Sequence, residues 1–227
     1  RASQWPALLH AAARMGIARV EYQTSDYTSA LDKFLEIIAA NVHPYSVDAR
    51  YHLALTYEAL GSYEEAAQSY QDYLDQSDAA VASYIYEQKA DALIASGAFQ
   101  DAINAYQSSI SHPRLSDAES VSVKIGQAYA SLGDYETAII TYNDVYSSTI
   151  NDFRKAQIDY LKGQAFTALD DIEKANQAYL DAVTRYPLSY DSYLGLIELV
   201  ENGYPVNELD RGIVDYYAGQ YSVAVAA

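Results

Sequence analysis

Cysteine is absent from the 227 residues. That excludes disulfides and thiolate metal sites without fixing a compartment. Cations are scarce as well: 14 Lys plus Arg stand against 31 Asp plus Glu, a formal net charge of −17. Nucleic acid and anionic membrane surfaces are poor partners for such a chain, because both are gripped by cations against phosphate. No uncharged apolar run reaches the length of a membrane-spanning helix, so direct membrane insertion is not expected. Glycine is thin, with 10 residues, and no glycine-rich loop able to cradle a phosphate is formed from them.

Catalytic patterns are missing too. The four histidines, His10, His43, His52 and His112, make no pair at helical spacing and no His-Glu-x-x-His motif. No metal ligand set and no cofactor is expected. Glu64-Glu65, Asp170-Asp171 and Glu119 could suggest paired carboxylates for glycoside chemistry. Two of these clusters stand where a helix is expected to begin, a position that suits acidic side chains electrostatically. No Gly-x-Ser-x-Gly nucleophile motif is present. The chain itself therefore reads as lacking catalytic residues.

What the chain has in plenty is tyrosine, 24 residues, and a repeat. Ile125-Gly126-x-x-Tyr129, Gly133-Asp134-Tyr135 and Ala138-x-x-x-Tyr142 describe one helix, a tight turn and a second helix. Aligned on Gly133, the turn positions are Ser25, Gly61, Gly97, Gly133 and Asp170, separated by 36, 36, 36 and 37 residues. Five residues later stand Ala30, Ala66, Ala102, Ala138 and Ala175; four further come Phe34, Tyr70, Tyr106, Tyr142 and Tyr179. Small residues recur in the first helix as Ala18, Ala54, Ala90, Gly126 and Gly163. A small residue lets the partner helix come close, and the aromatic fills the space beside it.

This pattern resembles the tetratricopeptide repeat (TPR) family over about residues 11–187, with a period slightly above the usual value of about 34. The resemblance implies an all-α, TPR-type α-solenoid: antiparallel helix pairs in a right-handed superhelix, with about twelve to fourteen helices. The repeats fall at 11–46, 47–82, 83–118, 119–155 and 156–188, and 189–227 holds irregular helices and a truncated further repeat. A helix over 7–18 merges into the first copy; 190–201 and 206–218 read as two more. Glu21 replaces the first-helix aromatic in the first copy and Ser25 replaces its glycine, so that copy is expected to sit at an end and expose part of its outer face. Lys89 and Lys162 replace apolar residues, and their stems are expected to pack while the ammonium stays wet.

In the family, first helices line a concave face. Carried over by position, the candidate peptide-binding groove is Tyr51, Leu55 and Glu58 in copy two and Tyr84, Glu87 and Asp91 in copy three. Val123 and Gln127 follow in copy four, and Tyr160 and Gln164 in copy five. The surface is aromatic, acidic and amide-lined, and lacks the Lys/Arg/Asn set that grips a terminal carboxylate in chaperone-binding members. The resemblance implies a non-catalytic scaffold binding a neutral or basic peptide or protein segment. A second, shorter resemblance covers 209–221, which is similar to the helical region ahead of the catalytic domain in bacterial soluble lytic transglycosylases. On that reading the chain is the helical arm of a cell-envelope enzyme whose catalytic domain lies outside it. Arg1 in place of Met and the half-finished motif at Gly219–Ala227 read as the edges of a longer protein.

Overall fold

The computed structural model describes residues 5–77, 79–113 and 117–226. Among the described residues the chain forms thirteen α-helices and one 3-10 turn, Ala79–Val81, with no strand. Two compact units divide it, Arg1–Asp117 and Ala118–Ala227. The first unit carries α1 (Trp5–Gln23), α2 (Tyr27–Ala40), α3 (Tyr45–Ala59), α4 (Tyr63–Leu74), α5 (Ala82–Ser96) and α6 (Phe99–Ser111). The second carries α7 (Ala118–Leu132), α8 (Tyr135–Ser148), α9 (Asp152–Ala168), α10 (Ile172–Arg185), α11 (Tyr190–Glu201), α12 (Glu208–Tyr217) and α13 (Tyr221–Ala226). Within each unit, successive helices pack as hairpins, each hairpin against the next. The all-α repeat architecture that the resemblance implies is the one observed.

One turn recurs. Ser25, Gly61, Gly97, Gly133, Asp170 and Gly219 all take a left-handed backbone, with φ of 64°, 77°, 83°, 87°, 60° and 80°. In each, the next residue donates its N–H five positions back: Asp26 to Glu21, Ser62 to Tyr57, Asp134 to Tyr129 and Asp171 to Phe166, all at 2.9 Å. This double-bonded helix ending satisfies carbonyls that would otherwise be orphaned. The same residue then starts the second helix. Asp26, Asp134 and Asp171 each accept from the backbone N–H three residues on, a side-chain cap. Ser62 and Ala98 hold the same backbone angles without a side-chain cap bond.

Each core is shared between a hairpin and the first helix after it. Met15, Ala18, Ala30, Phe34 and Ile37 close on Ala49 and Leu53 of α3. Ala54, Ala66, Ala67 and Tyr70 close on Ile85 and Ala92 of α5. In the second unit Ala138, Tyr142 and Val145 close on Ile158 of α9, and Ala175, Tyr179 and Val183 on Leu196 and Leu199 of α11. No hairpin can cover its apolar face alone, so neighbours stabilise one another. The two glycines of the small position show how tight this seam is. A Cβ on Gly126 would lie 2.3 Å from Tyr142 Cε1, and one on Gly163 would lie 2.2 Å from Tyr179 Cε1.

The first copy does expose part of its outer face, as expected; for Lys89 the outcome differs. Glu21 itself pairs through its carboxylate with Lys33 Nζ of α2 at 2.6 Å. Exposure of the first copy falls on its apolar residues, Leu9, Ile17 and Val20. Lys89 is half-buried, and its ammonium donates to Gln71 Oε1 at 2.8 Å rather than standing in solvent. Burial holds its pKa below the usual lysine range.

Candidate functional site

In the first unit, two helices present the candidate residues. Tyr51, Leu55 and Glu58 follow one another at four and three residues along α3, so they share a face. Tyr84, Glu87 and Asp91 do the same along α5 at three and four. Tyr51, Tyr84, Glu87 and Asp91 line one groove of about 460 Å³, completed by Tyr73, Val81, Ile85 and Gln88. Tyr51 makes aromatic and polar contacts within it. Its ring lies 5.7 Å from that of Tyr73 and 6.1 Å from that of the buried Tyr70, and its hydroxyl accepts from Gln88 Nε2 at 3.5 Å.

Asp91 is exposed but anchored: the Tyr106 hydroxyl, reaching from α6, donates to its Oδ1 at 2.5 Å. Burial first, and then this acid, push the Tyr106 phenol far above its ordinary range. Leu55 and Glu58 do not line the groove. Leu55 is half-buried against the core around Tyr70. Glu58 stands beside the Tyr70 hydroxyl, which is itself buried without a well-formed hydrogen bond. Burial raises the Glu58 carboxyl pKa and Asp91 adds to the rise, while the Tyr70 hydroxyl opposes it.

The second unit treats its four candidates differently. Val123 is only 2% exposed and packs with Ala138, Tyr142 and Ile158. Its placement on a binding face is therefore corrected: it is a core residue. The register position explains the difference. Three residues before the small residue, the copies carry Met15, Tyr51, Glu87, Val123 and Tyr160. Where this residue is compact and apolar, Met15 and Val123, it turns under the neighbouring helix. Where it is larger or polar it reaches the edge of the seam. Tyr160 is half-buried on the Tyr179 ring at 5.8 Å, and its hydroxyl accepts from Gln164 Nε2 at 3.0 Å. Burial raises the Tyr160 phenol pKa, with Glu198 and Asp191 adding. Gln127 is exposed on α7.

The residues that sequence reasoning misses are Tyr73, Val81, Ile85, Gln88 and, behind Asp91, Tyr106. Tyr106 carries the repeat's own aromatic signal, but that signal speaks only of packing. Tyr73 and Val81 come from the end of α4 and the 3-10 turn, outside the first-helix register. Among the described residues no group of three or more His, Asp or Glu is placed to hold a metal ion. No described helix is long and apolar enough to cross a membrane.

A family model described as tetratricopeptide repeat matches residues 2–42, 16–81 and 88–153, and a second model of the same description matches 158–189. Comparison with curated proteins finds no match. Among solved structures, a crystal structure of MamA protein superposes with a TM-score of 0.62 at 18% identity, over 87% of this chain and 97% of that one. The C-terminal part of a TPR repeat-containing protein from Cytophaga hutchinsonii gives a TM-score of 0.62 at 18% identity, over 93% and 79%. YrrB, described as a TPR protein with an unusual peptide-binding site, gives a TM-score of 0.60 at 16% identity, over 82% and 89%. At these identities the likeness concerns the fold.

Proposed function

This chain belongs to the tetratricopeptide repeat family, and from that premise we propose a non-catalytic scaffold whose α3–α5 groove binds a peptide or protein segment. The observation that carries the proposal is the convergence of Tyr51, Tyr84, Glu87 and Asp91, from two successive first helices, on one groove. Its chemistry suits an extended segment. The tyrosine faces give large contact area at small entropic cost. The Gln88 amide can exchange hydrogen bonds with a peptide backbone. Glu87 and Asp91 favour neutral or basic side chains over acidic ones, in keeping with the charge of the whole chain. The peptide-binding site named for YrrB supports the use of this fold for peptide capture.

The test is capture of binding segments from a library of immobilised peptides, followed by Ala replacement of Tyr51, Tyr84 and Glu87. Each tyrosine replacement is expected to weaken a captured peptide by about tenfold, with the helical circular dichroism signal retained. Capture that survives all three replacements dismisses the groove.

The resemblance over 209–221 carries a second reading, the helical arm of a peptidoglycan-cleaving enzyme. Those residues form α12, the Gly219 turn and the start of α13. The reading frame beyond Ala227 tests it: a lysozyme-like domain supports the arm, and a stop codon within a helix or two defeats it.

A further inference from the structure

Three cations gather around one tyrosine in the second unit. Lys155, Asp159 and Lys162 lie on one face of α9 at intervals of four and three residues. Tyr146 of α8 packs on that face, with Lys155 Nζ 5.7 Å and Lys162 Nζ 5.3 Å from its ring centroid. Arg185, the last residue of α10, donates from Nη1 to the Tyr146 hydroxyl at 3.3 Å. The Tyr186 hydroxyl is 2.8 Å from that of Tyr146.

The charges do not cancel. Lys162 pairs with Asp159 Oδ1 at 3.4 Å. Among the described residues, neither Lys155 nor Arg185 has a carboxylate within ion-pair distance; Asp181 acts on Arg185 only from further away. Three cations thus face two carboxylates, a positive surplus in a chain whose formal net charge is −17. Asp159 makes no ion pair with Lys155 or Arg185: its side chain is 2% exposed and its Oδ2 is buried without a hydrogen-bond partner, and Arg185 acts on it only from further away. Lys155 is half-exposed and Arg185 is exposed, so both remain open to solvent.

We propose that the surface formed by α8, α9 and the end of α10 around Tyr146 binds a small oxyanion, a carboxylate or phosphate. The Arg185 fork grips it, Lys155 neutralises it, and whichever of the Tyr146 and Tyr186 hydroxyls does not donate to the other is left to donate to it. A planar guanidinium suits the paired oxygens of such a group. The Tyr146 ring holds the Lys155 ammonium close without taking up its hydrogen-bonding capacity. This site rests on none of the groove residues, so it stands or falls separately from the peptide-binding proposal.

The source of the anion is settled by two probes. The full chain, carrying 13C-labelled lysine, is titrated with sodium phosphate and separately with a blocked tri-glutamate peptide, each against sodium chloride at matched ionic strength. The side-chain signals of Lys155 and Lys162 should shift saturably with at least one probe. Lys174, paired with Asp171 on α10, should not respond. Saturation by phosphate alone identifies a free anion; saturation by the peptide identifies a carboxylate delivered by a partner chain. Lys155→Gln and Arg185→Gln should each weaken that probe by about tenfold. Should Arg185→Gln lower the helical signal, Lys155→Gln decides. Shifts no larger than those in chloride, or an affinity untouched by Lys155→Gln, overturn the site.

Discussion

Gly126 and Gly133 belong to one repeat and are glycines for different reasons. Gly126 lies inside α7, where a Cβ would run into the ring of the buried Tyr142. Gly126→Ala gains helix propensity and still should destabilise the protein by about 1–3 kcal/mol, because Tyr142 is held in a closed core. Urea denaturation measures the loss, and the double variant Gly126→Ala with Tyr142→Leu should recover part of it. The clash is legible in the sequence only as a preference for small residues beside an aromatic. What is not legible is how one register position serves two purposes. Val123 and Tyr51 occupy it in different copies, and side-chain size and polarity, not spacing, decide which faces the core.

Elements are set by their turns, and at this scale the sequence is most legible. All five aligned positions take the left-handed turn, and Gly203 and Gly219 repeat the geometry after them. Gly133 meets nothing within 4 Å at its absent Cβ, so Gly133→Ala tests backbone conformation alone. It should cost about 1–2 kcal/mol, the penalty for an L-residue held left-handed. Thermal melts of Gly133→Ala beside Gly133→Asn would check it, with Asn losing less. Ser25 and Asp170 already bear this cost where other copies have glycine. The groove is only half legible at this scale. Its walls come from first helices, which the repeat defines. Its rim comes from the end of α4 and the 3-10 turn Ala79–Val81, whose residues follow no repeat register.

Across the whole molecule, acidic charge outweighs basic charge, and several of the acids are enclosed. Burial raises the carboxyl pKa of Glu58, Asp159, Asp191 and Asp215. For Asp159 the value reaches about 6 from 3.8, with Asp181 adding and Lys162 and Arg185 opposing. A raised carboxyl binds its proton more tightly when folded. Its contribution is therefore fully present below the unfolded pKa, near 4, and is lost as pH rises through the folded one. The protein should melt at a higher temperature at pH 5 than at pH 7.5, helped by relief of its net charge. Asp159→Asn should raise stability at pH 7.5 by about 1–3 kcal/mol and flatten this dependence between pH 4 and 6. Melts of both proteins across that range decide the matter. None of this can be seen from composition, since the count of acids does not say which ones the hairpins enclose.

The four shared cores have one further effect, on the order of assembly. Each draws its buried residues from a stretch of about 40 positions or fewer: 15–53, 54–92, 123–158 and 175–214. None of them requires distant parts of the chain to find one another, so little loop entropy opposes their formation. A nascent chain can thus condense progressively as it leaves the ribosome, every finished hairpin offering a template to the helix synthesised next.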